Sequence, residues 1–213
     1  MGLCNSPDIF QEKMSELMEG LNFVRTYIDD LLVITNGSFE DHLSKLDSVL
    51  ERVEAAGLKV NAGKSFFCQA ELEYLGYWIT RKGILPVPKK VQAMLALTEP
   101  TNRKELRRFI GLINYYRDMW IRRSDVLAPL SRLLSKDNPW AWTKVEATAF
   151  AQIKQIIAKH VLLSHPNFNK PFEIHTDASK YQLGAVILQD SKPIAFYSRK
   201  LLSKAQLNYT ATE

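Results

Sequence analysis

The chain has 213 residues, 28 Lys and Arg against 23 Asp and Glu, and a hydrophobic fraction of 46%. These values lie near the globular averages, which argues against disorder, collagen-like repeats and low-complexity structure. No run approaches the roughly 18 apolar residues of a membrane span, so a soluble protein with no membrane partner is expected. Cys4 and Cys68 lack Cys-x-x-Cys spacing, which disfavours a disulfide framework or zinc site and suits a reducing compartment. Met1 to Pro7 shows no basic region followed by an apolar stretch, so no secretory signal is expected.

The net charge of +5 is unevenly placed. Residues 86–136 hold eleven Lys and Arg against four Asp and Glu, leaving −2 for the rest of the chain. Arg103, Lys104, Arg107 and Arg108 recur at helical spacing, and Arg117, Arg122, Arg123 and Arg132 follow. Such a stripe suits a phosphate backbone, although taken alone it reads first as a solvated helix face.

Ser6-Pro7 followed by Ile9, Phe10, Met14, Leu17 and Leu21 predicts a helix with Ser6 as N-cap and a stop near Gly20. Two apolar runs around Asp29-Asp30, within Phe23 to Thr35, predict a hairpin with acids near its turn. Ser38 to Asp41 resembles a capping box, and Leu43, Leu46, Val49, Leu50 and Val53 form a helical stripe ending at Gly57. From Leu58 to Leu85 the texture is β-like, including Phe66-Phe67, and Pro86 and Pro88 mark a boundary. Helices are then expected over Lys89 to Leu97, Asn102 to about Trp120, Leu127 to Leu134, and Thr143 to about His160, the last opened by a Thr143/Glu146 capping box. Phe172 to Thr176, Leu183 to Leu188 and Pro193 to Ser198 read as three strands, with a helix starting near Ser203.

Tyr27-Ile28-Asp29-Asp30 is the sharpest chemical signal. Adjacent carboxylates inside an apolar hairpin repel each other and resist desolvation unless a cation compensates. Phosphoryl-transfer enzymes hold two magnesium ions about 3.5–4 Å apart with a few carboxylates. An exposed acidic turn gives the same four residues, so context decides. The histidines His42, His160, His165 and His175 show no metal-ligand spacing. Trp78, Trp120, Trp140 and Trp142 suit core packing better than base stacking.

The context is a set of motifs in order: Gly2-Leu3-Cys4-Asn5-Ser6-Pro7, Phe10-Gln11, Tyr27 to Asp30, Leu75-Gly76, Glu105 to Leu112 with Asn114-Tyr115-Tyr116-Arg117, and Thr176-Asp177-Ala178-Ser179. Together they resemble the reverse transcriptase, with attached RNase H, of gypsy-type LTR retrotransposons. The resemblance implies an α+β fold in three parts. These are a polymerase palm (antiparallel sheet with helices) over 1–85, a helical thumb and connection over 86–165, and a truncated RNase H-like α/β domain over 166–213. It implies Asp29 as ligand of the catalytic magnesium ions and Asp30 as its support, with two ions at the polymerase site and two at RNase H in the complete protein. Zinc and organic cofactors have no place in it.

Carried over position by position, Gly2, Gln11 and Tyr27 fall where the family lines its nucleotide pocket, and Leu75-Gly76 where a hairpin grips the primer. Arg103, Lys104, Arg107, Arg108 and Arg117 become trackers of the template-primer duplex. Asp177 matches the first RNase H carboxylate, supported by Ser198 to Leu201 and Asn208-Tyr209, whereas an aspartic-protease reading fails because Asp177-Ala178-Ser179 lacks the required glycine. Glu213 falls about two residues before the register of the family's RNase H glutamate. The implied partners are an RNA/DNA template-primer, deoxynucleoside triphosphates and the remainder of a pol polyprotein, in an intracellular setting, cytoplasmic or nuclear. The upstream carboxylate, the fingers and the later RNase H acids are missing, so weak magnesium binding and little polymerisation are expected of this chain alone. An inactive relic that only binds nucleic acid is the alternative.

Overall fold

The computed structural model describes residues 4–159, 161–179 and 182–201. The chain packs as two compact units, Met1–Ala70 and Glu71–Glu213. This packing division lies ahead of the Pro86 and Pro88 punctuation.

In the first unit, helix α1 (Ser6–Leu17) is followed by strands β1 (Val24–Tyr27) and β2 (Asp30–Val33) and helix α2 (Phe39–Ala55). The N-cap of α1 is Asn5, without a side-chain cap bond, rather than the expected Ser6. Ser6 opens the helix itself and Pro7 sits in the first turn, where its missing N–H is harmless. Ser38 does cap α2, its Oγ accepting the Asp41 N–H at 3.2 Å, and Gly57 ends it in the left-handed region (φ 71°). Met14, Met18, Val24, Val49 and Val53 close the core of this unit. Arg52 pins α2 to the end of α1 by donating to the carbonyls of Leu17 (2.9 Å) and Glu19 (2.7 Å). The expected β structure at Phe66-Phe67 does not form. Phe66 is 78% exposed, and the only regular element described between α2 and Leu72 is one 3-10 turn, Ala62–Lys64.

The second unit opens with an antiparallel meander, β3 (Leu72–Tyr74), β4 (Tyr77–Thr80) and β5 (Gly83–Pro86). Ile84 and Leu163 exchange backbone bonds of 2.7 and 3.0 Å, which explains Gly83: a Cβ there would lie 2.1 Å from the Leu163 carbonyl oxygen. Helices α3 (Pro88–Leu95), α4 (Arg103–Asn114), α5 (Arg123–Arg132) and α6 (Lys144–Ala158) follow. Leu106, Phe109, Ile110 and Ile113 of α4 meet Leu127 and Leu130 of α5 and Phe150 and Ile153 of α6 in the main core. A second meander, β6 (Glu173–Ala178), β7 (Gln182–Gln189) and β8 (Lys192–Lys200), realises the three expected strands. The helix expected near Ser203, with Asn208, Tyr209 and Glu213, lies outside the described residues.

Two helices differ from expectation. The one starting at Asn102 stops at Asn114 and gives way to a 3-10 turn at Arg117–Met119, because the Tyr115 carbonyl accepts the Tyr77 hydroxyl (3.0 Å) instead of a helical amide. The one expected from Leu127 begins at Arg123, since its first turn is capped from a distant strand. The Thr143/Glu146 capping box of α6 forms as expected.

Candidate functional site

The β1/β2 register pairs Tyr27 with Asp30, so Ile28 and Asp29 form a two-residue turn. Ile28 takes φ 53°, a conformation that a β-branched side chain disfavours. Gln11 braces it. Its Oε1 accepts the Ile28 N–H at 2.5 Å while its Nε2 donates to Thr26 Oγ1 at 3.0 Å. The Gln11 amide thus faces the hairpin, a role that motif matching alone did not reveal. Tyr27, Asp29 and Asp30 are exposed at the tip, and Gly2 lies outside the described residues.

A comparable turn joins β3 to β4. Tyr74 pairs with Tyr77, and the central Leu75 and Gly76 both have positive φ (45° and 72°). The Tyr115 hydroxyl donates to the Leu75 carbonyl and the buried Tyr116 hydroxyl to the Gly76 carbonyl at 2.8 Å. Tyr77, Tyr115 and Tyr116 stack or meet edge to face with centroids 5.1–5.5 Å apart. A Cβ on Gly76 would lie 2.6 Å from both Tyr115 Oη and Lys90 Nζ, so a larger residue would have to displace both side-chain ends as well as adopt a positive φ that favours glycine. Burial pushes the Tyr77 and Tyr116 pKa values up. The Tyr-Tyr pair after a helix is the signal that would have identified this clamp.

The basic stripe divides. On α4, Lys104, Arg107 and Arg108 are exposed and have no ion-pair partner among the described residues; together with the open Gly111 and exposed Tyr115 they form one face. Arg103 does not belong to it: its Nε donates to the Leu133 carbonyl at 3.0 Å and its Nη2 to that of Asn138. Arg117 is exposed beside Asp118 (3.6 Å), and Arg122 lies 3.4 Å from Asp125. Arg132 lies 3.6 Å from the buried Glu146 carboxylate, and Arg123 is held by Asn114 and Ser198.

Asp177 lies on β6, exposed throughout its length, with Gly184 opposite on β7. Among the described residues no three His, Cys, Asp or Glu side chains gather as a metal site, and no helix is long and apolar enough to cross a membrane. Asp29 and Asp30 do present exposed carboxylates with no ion-pair partner among the described residues, the hard oxygen donors that magnesium takes. Their chemistry fits the ion as part of a ligand set.

The first unit thus carries a hairpin with two exposed carboxylates, and the second carries a clamped hairpin and a basic helix. Residues 1–79 match the family described as reverse transcriptase (RNA-dependent DNA polymerase), and residues 142–213 the RNase H-like domain found in reverse transcriptase. The chain therefore carries reverse transcriptase and RNase H-like domain sequence, and it is homologous to retrotransposon polyproteins. The Tf2-3 and Tf2-7 transposon polyproteins of Schizosaccharomyces pombe are each 35% identical over 219 residues, covering all of this chain and 16% of the polyprotein. The fold matches that of the foamy viral protease-reverse transcriptase in complex with RNA/DNA hybrid, with TM-score 0.86 and 24% identity over 100% of this chain and 29% of that one. A second structure of that protein, in complex with double-stranded DNA, gives TM-score 0.87 at 24% identity, over 100% of this chain and 38% of that one.

Proposed function

We propose that the chain is the part of a gypsy-type LTR retrotransposon polymerase that holds a primer end and joins polymerisation to RNase H. The observation that carries this reading is the exposed Asp29-Asp30 pair on a turn braced by Gln11, within sequence of the reverse transcriptase family. The assignment is palm for 1–85, thumb and connection for 86–165 and RNase H for 166–213.

Asp29 and Asp30 would hold magnesium together with a carboxylate from outside this chain, and Asp177 would do so at the RNase H site. The chemistry supplied there would be activation of the primer 3′-hydroxyl and neutralisation of charge on the leaving pyrophosphate. Gln11 fixes the turn so that the two carboxylates are presented in one geometry, and Tyr27 flanks them on the nucleotide side. The Leu75-Gly76 turn presents the primer strand, and Lys104, Arg107, Arg108 and Arg117 follow the phosphates of the RNA/DNA duplex in an intracellular setting.

Primer extension on an RNA template by a full-length protein containing this chain tests the reading. Asp29→Ala is expected to abolish deoxynucleotide addition, and undiminished extension overturns the metal assignment. Lys104, Arg107 and Arg108 of α4, without ion-pair partners among the described residues, favour one second reading, a relic that binds duplexes without catalysis. In that case extension is absent from the unaltered protein while salt-sensitive binding persists.

A further inference from the structure

Helix α5 starts without a cap of its own. Arg122, at its N-cap, has φ 53° and makes no side-chain cap bond, so its free amides need partners from elsewhere. The β6–β7–β8 sheet takes one of them and adds two side-chain bonds. Ser198 Oγ accepts the Ser124 N–H at 3.0 Å, Arg123 Nη2 donates to the Ser198 carbonyl at 3.1 Å, and Gln182 Nε2 donates to the Asp125 carboxylate at 2.6 Å. Ser198 and Gln182 are both buried.

Arg123 reaches further. Its Nη1 donates to Asn114 Oδ1 at 2.7 Å, and Asn114 is the last residue of α4. One guanidinium therefore spans the carboxyl end of the basic helix, the amino end of α5 and strand β8. The strand register adds a consequence: Ser198 pairs with Gly184, and Gly184 with Asp177. The anchoring point and the RNase H carboxylate share one row across three strands.

We propose that Arg123, anchored on Ser198, is a positioning residue that fixes the span between the basic face of α4 and Asp177, and thereby selects which RNA nucleotide is cut. The inference rests on the nucleic-acid roles given above to α4 and Asp177. The planar guanidinium suits the task because its rigid fork serves two acceptors in a set geometry, which a lysine ammonium does not. The other two bonds, from Ser198 and Gln182, reach α5 but not α4. Losing the fork therefore removes the hydrogen-bonded tie between Asn114 and Ser198 and loosens the α4-to-sheet span, while β8 packed on the Arg117–Met119 turn and Phe196 packed on the main core keep the sheet attached and the variant folded.

Two measurements test this. In the chain itself, with Cys4 and Cys68 changed to serine, spin labels at Leu112→Cys and Arg199→Cys report the span. Arg123 gives a narrow distance distribution, and both Arg123→Ala and Arg123→Lys give a broadened one. In a full-length protein containing the chain, a 5′-labelled RNA template annealed to a DNA primer reports the cut position relative to the primer end. Arg123→Ala is expected to lower the dominant product roughly threefold and spread the cuts to neighbouring positions, as loss of a charged hydrogen bond allows, while the rate of primer extension stays the same. An unchanged distance distribution overturns the proposal, and so does a broadened one with an unchanged cutting pattern. Wild-type behaviour of Arg123→Lys in both assays reduces the role to charge and also overturns it. A parent protein that neither extends nor cuts overturns the functional reading and the nucleotide-selecting role with it, and the distance measurement then judges the fork by itself.

Discussion

Tyr116→Phe isolates the clamp on the Leu75-Gly76 turn. The hydroxyl donates to the Gly76 carbonyl at 2.8 Å and accepts the Val87 N–H at 3.4 Å, both in buried surroundings. The phenyl ring of the variant fills the same space, so the loss is confined to polar partners. A buried carbonyl left unpaired costs about 1–3 kcal/mol, and the long bond from Val87 belongs at the weak end of hydrogen bonding. The sum is about 2 kcal/mol, or a fall in Tm of roughly 4–8 °C for a unit of this size. Urea denaturation of the two proteins measures the difference, and amide exchange at Gly76 and Tyr77 locates it. Burial raises the Tyr116 pKa above its ordinary value of 10.0. The folded state then holds its proton more tightly than the unfolded one, so the hydroxyl's contribution is complete below pH 10 and declines as pH rises through the folded value. The stability gap should therefore narrow in strong alkali. A difference below about 0.5 kcal/mol at neutral pH, or one that ignores alkali, refutes the clamp.

Glu146 offers the opposite pH dependence. Hydrogen bonds from Thr143 hold its carboxyl below the ordinary 4.5 against the opposing effect of burial, with Arg132 adding a smaller pull. A lowered pKa stabilises the fold above 4.5 and ceases to do so as pH falls through the folded value. Glu146→Gln is expected to lose about 1–2 kcal/mol at pH 7, with the gap closing in acid; thermal melts across the acid range check it, and a constant gap contradicts it. On α4, Arg107→Ala should flatten the slope of log K against log salt for an RNA/DNA hybrid by about one. Arg103→Ala should leave that slope alone and lower stability instead, because its donors serve Leu133 and Asn138. Fluorescence anisotropy at graded salt separates the two, and equal slope changes refute the division of the stripe.

The parts of the fold legible in the sequence were those encoded locally. Thr143 and Glu146 lie three residues apart, so their capping box follows from the chain alone, as do the alternation around Asp29-Asp30 and the proline that opens α3. What escaped local reading was decided by partners far along the chain. Arg103 and Arg107 look alike at helical spacing, yet Arg103 faces carbonyls 30 and 35 residues away and Arg107 faces solvent. The early start of α5 needs Ser198, 74 residues on. Gln11 shows the same limit at the candidate site, since its motif marks importance without revealing that the partner is the Ile28 amide.

The two hairpin turns, Ile28-Asp29 and Leu75-Gly76, solve one problem in the same way. A two-residue hairpin tip with Ile28 or Leu75 in the left-handed region stores strain of about 1–3 kcal/mol per residue, and left alone it would relax into other turn geometries. In each case a side chain from a helix, or from the turn that ends one, bonds the tip's own backbone: Gln11 takes the Ile28 N–H, and Tyr115 and Tyr116 take the carbonyls of Leu75 and Gly76. The backbone group that would otherwise tolerate several conformations becomes the group that specifies one. Electrostatics give a reason for clamping through the backbone: the exposed carboxylates of Asp29 and Asp30 have no ion-pair partner among the described residues, whereas an arginine brace of the kind that holds β8 would pair with them. A neutral glutamine at position 11 fixes the turn without neutralising the charge of Asp29 and Asp30.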